Sequence, residues 1–107
     1  MTNESKSKKG VHRLKPEGEM TIYNAATMKT FILTALRKYK EVEIDLAKVN
    51  EMDSAGLQLL FLAKREASNH GKPLRLINHS EAALEIFNLY HVAEHFGDPI
   101  VLRRNGN

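Results

Sequence analysis

The chain is predicted to form one α/β domain, in which helices cover mainly one face of a mixed sheet of four to five strands. Alternating or apolar runs at residues 11–14, 19–23, 41–46 and 74–77 predict strands. Segments with apolar residues at helical spacing follow the second, third and fourth of these runs. The chain has 107 residues, 42% of them hydrophobic, which suits a single core. Strands three and four are joined by a helix and should therefore be parallel.

The two ends are predicted to lie outside the domain. Residues 1–10 are rich in Ser, Lys and Asn and have no apolar residue after Met1, which is typical of a disordered tail. The folded domain is expected over residues 11–103, with a short tail at 104–107.

The first two strands, at 11–14 and 19–23, are expected to form a hairpin around the turn residues 16–18. Asn24 then fits the N-cap of a helix that runs to about Lys38. Its apolar stripe comprises Ala25, Met28, Ile32, Ala35 and Leu36.

The third strand, at 41–46, is followed by a predicted loop at 47–53 and a second helix that begins at about Ser54. One face of this helix is expected to be buried, namely Gly56, Leu57, Leu60, Ala63 and Ala67. Gln58, Arg65 and Asn69 mark the opposite face. Leu62 falls nearer to them, so an exposed leucine is expected there.

The remaining elements are predicted in the same way. Gly71 suits the end of the second helix, and the fourth strand comes next. Ser80 fits the cap of a third helix, whose expected buried side is Ala83, Ile86, Phe87 and Tyr90. Residues 97–99 form a turn signal, and residues 100–102 suit either a last strand or a short helix.

Composition removes several classes of function. There is no cysteine, so disulfides and thiolate metal sites are impossible. No apolar run approaches the roughly 20 residues of a membrane span, and the polar N-terminus is no secretory signal, so no membrane insertion and a cytoplasmic location are expected. The net charge of +3 comes largely from the ends, and acids and bases alternate between them. Nucleic-acid binding is therefore not expected.

The junction between the third strand and the second helix is the strongest candidate site. Asp53 and Ser54 are both good N-cap residues, so one of them can cap the helix while the other is free. Ser54 is thus either a structural cap or a hydroxyl displayed for modification. A phosphate on Ser54 would meet helix-start amides and add a charge of about −1.5 to −2, which would alter any partner docked there.

The same stretch carries a family resemblance. Ile44-Asp45-Leu46, a short loop and then Met52-Asp53-Ser54-Ala55-Gly56-Leu57 resemble the signature of STAS domains, the family of the anti-sigma factor antagonists. The later Gly71, the strand at 74–77 and the capping Ser80 agree with this resemblance, which covers roughly residues 11–97.

The resemblance implies a non-enzymatic bacterial signalling module. In such proteins the serine after the aspartate is the phosphoacceptor, which maps to Ser54, and the unphosphorylated form binds a serine kinase/anti-sigma factor. The kinase supplies ATP binding, so no cofactor is expected. The expected partner surface comprises Thr21, Asp53, Ser54, Ala55, Gly56, Gln58, Leu62 and Arg65.

Thr21 is a departure from the family, because classical antagonists often carry an aspartate there. The sequence from Asp53 to Leu60 is more similar to STAS proteins found beside bacterial chemotaxis and signalling kinases, which makes a chemotaxis-type histidine kinase or regulator a further partner class. It is also similar to STAS subunits of lipid-transport ABC systems, in which the segment around Leu89 and Tyr90 is comparable. An accessory transporter subunit is therefore the alternative function.

Enzyme chemistry is the competing class. His91 and His95 lie in an H-x-x-E-H pattern, which is typical of inverted zinc proteases and would indicate a small metal-dependent hydrolase. Such a site needs a third ligand, and only 12 residues follow His95. A Ser/His/Asp triad around Asp45 or Asp53 lacks a nucleophile elbow. We therefore expect no enzyme activity and no metal site, with both histidines as ordinary surface residues.

Overall fold

Six strands and three helices make up the described part of the chain. The structure, a computed structural model, describes residues 2–8 and 10–90. The elements in chain order are β1 (Thr2–Lys8), β2 (Val11–Pro16), β3 (Gly18–Met20), α1 (Ala25–Lys38), β4 (Glu41–Asp45), β5 (Val49–Met52), α2 (Ser54–Asn69), β6 (Leu74–Ile77) and α3 (Glu81–Tyr90). The mixed α/β class predicted from the sequence is confirmed.

The main sheet has four strands in the order β1-β2-β4-β6. β4 is parallel to both β2 and β6, as the helical connection between β4 and β6 predicted. β4 is the inner strand between β2 and β6, and residues 42–46 are all buried.

The predicted hairpin between the first two strands is wrong. β2 belongs to the main sheet, whereas β3 forms a separate two-stranded parallel sheet with β5. Pro16 ends β2, since proline donates no backbone hydrogen bond, and Gly18 at φ +89° redirects the chain. The partner of β3 is β5, which lies in the segment predicted as a loop. The strand predicted at 19–23 therefore ends at Met20.

The N-terminal segment is also not the disordered tail that its composition predicted. Residues 2–8 pair antiparallel with β2, from Thr2 opposite Pro16 to Lys8 opposite Val11. A strand at the edge of a sheet is held by backbone hydrogen bonds to its neighbour, and these do not require apolar residues. Polar composition alone therefore did not exclude a strand here.

The core follows most of the predicted helix faces, with additions in α2 and an exception in α3. All five residues predicted on the apolar face of α2 are buried, but so is Leu59, and Leu62 is packed half-buried against the core. The prediction of an exposed Leu62 is therefore wrong. The reason is that α2 contacts both α1 and α3, so its buried arc is wider than a single stripe. In α3, Ala83 and Phe87 are buried as predicted, and Ile86 packs half-buried against the core. The predicted burial of Tyr90 is wrong, because Tyr90 is the last residue of α3 and is 50% exposed.

Several predictions lie outside the described residues. They concern His91 and His95, the turn at 97–99, the last element at 100–102 and the domain end at 103. Within the described helices, none is long and apolar enough to cross a bilayer.

Candidate functional site: the start of helix α2

Asp53 is the residue that caps α2. Its backbone is extended, and its Oδ1 accepts hydrogen bonds from the backbone N–H groups of Ala55 (2.9 Å) and Gly56 (3.1 Å). This is the usual geometry of an aspartate N-cap, which satisfies donors that the first helical turn leaves unpaired. Ser54 is the first helical residue and is exposed. Of the two candidate caps, Asp53 therefore takes the structural role.

The second oxygen of Asp53 ties α2 to the turn that follows β3. Asp53 Oδ2 accepts from the backbone N–H of Ile22 at 3.1 Å, and the Asp53 backbone N–H donates to the Met20 carbonyl at 3.4 Å. Desolvation acts to raise the pKa of Asp53. The hydrogen bonds from Ile22, Gly56 and Ala55 outweigh it and hold the pKa below its ordinary value. Asp53 is therefore a carboxylate at neutral pH.

Gly56 allows β3 to approach the helix closely. A Cβ atom at this position would lie 2.2 Å from the Met20 carbonyl oxygen and 3.0 Å from Met52 Cγ. The first of these contacts is with backbone, which cannot move aside as a side chain can. Glycine is thus required because the backbone of β3 ends against the first turn of α2. Gly56 is buried and contributes shape, not a side chain, to any surface here.

Thr21 has a structural environment. Its side chain is buried, with 5% exposure, and its hydroxyl donates to the Glu19 carboxylate while it accepts from the Tyr23 N–H at 3.3 Å. Asn24 accepts from the Thr21 N–H through Oδ1 (2.9 Å) and makes no side-chain cap to α1, contrary to its predicted role. Thr21 therefore shapes the turn from inside, and we do not include it in the exposed surface.

Two exposed apolar residues lie in this turn and were missed from the sequence. Ile22 is 69% exposed and Tyr23 is 88% exposed. The sequence assigned both to a strand, where alternation would bury Ile22. Asn24 was a signal for a turn, because asparagine favours turns, so the residues just before it are expected to lie in a turn and not in a strand. The hydrogen bond from Ile22 to Asp53 joins this pair to the start of α2.

We call Ile22, Tyr23, Asp53, Ser54 and Ala55 the junction surface. Ala55 and Asp53 are half-buried, and the other three are exposed. Gln58 and Arg65 are also exposed and lie on the same stripe of α2 as Ser54. They are four and eleven positions after Ser54, and residues at these spacings point in nearly the same direction from a helix. Leu62 borders this stripe. The structure thus brings together the predicted site residues on α2, apart from the buried Gly56.

Asp45 and the buried histidines His12 and His79 have packing and hydrogen-bonding roles. Asp45 accepts from the Ala47 N–H (2.9 Å) and from Asn78 Nδ2 (3.1 Å). His12 stacks on Tyr39 with ring centroids 4.0 Å apart, and His79 packs edge-on against Phe87. Among residues 2–8 and 10–90, no three His, Asp or Glu side chains are grouped so that they could hold a metal ion.

The fold matches solved anti-sigma factor antagonists. One from Thermotoga maritima has a TM-score of 0.80 at 22% identity, over 94% of this chain and 85% of that one. One from Mycobacterium paratuberculosis also has a TM-score of 0.80, at 18% identity, over 94% and 84% of the two chains. The Bacillus cell fate determinant SpoIIAA, in its phosphorylated form, has a TM-score of 0.70 at 15% identity, over 96% and 93%.

The architecture and the junction together define a STAS domain protein with the fold of the anti-sigma factor antagonists. A family model described as "Mlab, STAS domain" matches residues 5–102. The chain belongs to that family.

Proposed function

We propose that this protein is a non-enzymatic regulatory module that docks on a protein partner through the junction surface, under the control of phosphorylation at Ser54. The partner class is a serine kinase/anti-sigma factor. The observation that carries the proposal is the division of labour at the start of α2: Asp53 makes both capping hydrogen bonds, and the Ser54 side chain is left exposed. A hydroxyl that the helix does not need is available for modification.

The effect of a phosphate depends on its neighbours. The Asp53 carboxylate already occupies the N–H groups of Ala55 and Gly56, so a phosphate on Ser54 would be directed away from them by like-charge repulsion. It would face outward beside the apolar pair Ile22 and Tyr23. A partner that buries these two side chains would have to desolvate the added charge as well. Phosphorylation is therefore expected to weaken docking.

The relatives support this interpretation of the site. The chain shares its fold with proteins named as anti-sigma factor antagonists, and one of them, SpoIIAA, is known in a phosphorylated form. In the sequence, Asp53-Ser54-Ala55-Gly56 stands at the same strand-to-helix junction as the signature that it resembles.

The proposal is tested by capture of the partner from native lysate, with mass spectrometry of residues 50–64 to determine the state of Ser54. Ser54→Ala should capture the partner and carry no phosphate on this peptide. Ser54→Asp should capture at least about tenfold less, by analogy with other introduced charges at a docking surface. Thr34→Asp is the matched control, because Thr34 is an exposed hydroxyl residue on α1. If Ser54→Asp captures as much as wild type, the switch is wrong.

A second candidate is an accessory subunit of an ABC lipid transporter. Two observations favour it: the family match is described as "Mlab, STAS domain", and Leu89 and Tyr90, in the segment comparable to such subunits, are 68% and 50% exposed at the end of α3. In this case the captured partner is an ABC-type ATPase, and capture is the same for Ser54→Asp and wild type.

A further inference from the structure

A groove with a volume of about 600 Å³ lies at the end of α2 opposite to Ser54. It is formed where the chain leaves α2, turns through Gly71 at φ +65° and enters β6. Ser54 and Ser68 are fourteen residues apart on one helix, which corresponds to about 21 Å along its axis. The groove is therefore separate from the junction surface, and a ligand bound in it would be independent of the proposed function.

Three cations line this groove: Lys64, Lys72 and Arg75. Of the residues that the structure describes, eight line the groove, and none of these is acidic. Ser68, exposed on the last turn of α2, also lines the groove and adds a hydroxyl to it. The lining therefore combines positive charge with hydrogen-bond donors on one concave surface.

The two lysines are held in place by backbone carbonyls. Lys64 Nζ donates to the Leu74 carbonyl at 2.6 Å, and Lys72 Nζ donates to the Leu36 carbonyl at the end of α1. A carbonyl that accepts from an ammonium group fixes the position of that group. Side chains that are already ordered lose less conformational entropy when a ligand binds.

Arg75 also contributes positive charge to this groove. It pairs with Glu43, but Glu43 is shared with Arg13 at 3.1 Å, so one carboxylate serves two guanidinium groups. The three side chains together carry a charge of about +1 at neutral pH. Arg75 lines the groove, and its side chain is 53% exposed.

The carbonyls at the end of α2 do not oppose an anion as strongly as a bare helix end would. The Lys72 N–H donates to the Ala67 carbonyl at 2.9 Å, and the Gly71 N–H donates to the Ser68 carbonyl at 3.0 Å. These bonds satisfy carbonyls that otherwise form the negative end of the helix dipole.

We propose that this groove binds the phosphate group of a small phosphate-bearing molecule. Ammonium and guanidinium groups are the side chains that bind phosphate oxygens most strongly, and a hydroxyl adds a neutral donor. The volume is in the range of sites for small organic ligands. Such a phosphate can come from a free metabolite or from the headgroup of a lipid, and the chemistry of recognition is the same for both.

The test is a titration of the full chain, followed by amide NMR at constant ionic strength, with inorganic phosphate and then pyrophosphate. We expect saturable shifts confined to residues 64–75. Lys64→Gln and Lys72→Gln should each weaken binding about fivefold or more, because each removes a charge-assisted hydrogen bond. Lys29→Gln is the matched control, an exposed lysine on α1, and should bind as wild type within about twofold. Lys72 also holds the end of α1, so Lys72→Gln could act through the fold. Ser68→Ala has no such structural role and should also weaken binding, because it removes the hydroxyl donor from the groove.

A second arm distinguishes the sources of the phosphate. Vesicles containing phosphatidic acid are compared with vesicles of phosphatidylcholine alone. Binding of the first vesicles, lost in Lys64→Gln, with no response to free phosphate or pyrophosphate assigns the groove to a lipid headgroup. A response to free phosphate or pyrophosphate assigns it to a soluble ligand.

Three results would overturn the proposal. The first is shifts that spread over exposed lysines including Lys29, since these indicate counterion binding only. The second is the absence of a response to any phosphate probe. The third is that a poly-glutamate peptide shifts residues 64–75 while phosphate, pyrophosphate and lipid do not, which would indicate an acidic protein surface as the ligand.

Discussion

Asp53 and Ile22 are joined by a hydrogen bond of 3.1 Å from the Ile22 backbone N–H to Asp53 Oδ2. This contact connects the turn after β3 to the first turn of α2, although the two residues are 31 positions apart. It places an exposed apolar pair, Ile22 and Tyr23, at the helix start that displays Ser54. The candidate site thus depends on one carboxylate that holds two segments together.

The first prediction separates the roles of Asp53 and Ser54 in stability. Asp53→Ala should lower the free energy of unfolding by about 1–2 kcal/mol, because it removes a helix cap. Ser54→Ala should change it by less than about 0.5 kcal/mol, as is usual for an exposed residue. Urea denaturation measures both. A loss in Ser54→Ala as large as that in Asp53→Ala would show that Ser54 caps the helix instead.

The second prediction concerns the pH dependence of the same cap. The pKa of Asp53 is lower in the folded protein than its ordinary value of 3.8, so the carboxylate contributes stability that is present above about pH 4. This contribution is lost as the pH falls through the lowered pKa. The difference in unfolding free energy between wild type and Asp53→Asn should therefore shrink below about pH 4. A difference that stays constant from about pH 7 to about pH 2 would contradict the assignment.

The third prediction tests the close approach of β3 to α2. Gly56→Ala gains about 1 kcal/mol in helix propensity. Its Cβ, however, would lie 2.2 Å from the Met20 carbonyl oxygen, and overpacking against backbone costs about 3 kcal/mol. The net result should be a clear loss of stability in thermal or urea unfolding. Gln58→Ala, on the exposed side of the same helix, is the control and should be nearly neutral; equal stability of both variants would rule out the clash.

The fourth prediction concerns docking. Ile22→Ser and Tyr23→Ser should leave the unfolding free energy within about 0.5 kcal/mol of wild type, since both side chains are exposed. Each should weaken capture of the partner about tenfold or more if these residues anchor it. Leu89→Ser is the matched control, because Leu89 is equally exposed at the end of α3. Binding lost in Leu89→Ser and kept in Tyr23→Ser would favour the transporter-subunit candidate.

The fifth prediction addresses the buried carboxylate of Glu43, whose side chain is only 3% exposed and lies between Arg13 and Arg75. Arg13→Gln and Arg75→Gln should each cost less than about 1 kcal/mol, because the other arginine still pairs with Glu43. The double variant leaves a buried carboxylate without a cation and should cost about 3 kcal/mol. A double-mutant cycle measured by urea unfolding tests this, with Arg37→Gln as an exposed control. Simple additivity of the two single effects would contradict the shared pairing.

Much of the fold was predictable because the hydrophobic pattern of the sequence agrees with the packing of the helices and strands in the structure. The apolar face of α2, the strand at 74–77 and the end of α1 at Lys38 were all predicted from spacing alone. The errors fall where pairing depends on a distant segment. β1 is polar and β5 is short, and each is a strand only because a neighbouring strand supplies its hydrogen-bond partners.

The candidate site likewise contains residues that the sequence identified and residues that it missed. Asp53, Ser54, Ala55 and Gly56 were identified from the sequence, because capping residues and small residues at a strand-to-helix junction have a local signature. Ile22 and Tyr23 were not, since their exposure depends on where β3 ends, and the extent of β3 depends on its pairing with the distant β5.

The sequence by itself therefore determined the class of fold, the helices, the family resemblance and the position of Ser54, all of which depend on residues close together in the chain. Only the tertiary structure decided that Asp53 also binds the Ile22 N–H, that Thr21 is buried, that Leu62 packs against the core and that Lys64, Lys72 and Arg75 line one groove. The physical reason is that the choice of hydrogen-bond partner and the burial of a side chain depend on which distant segments meet, and the local pattern does not encode this.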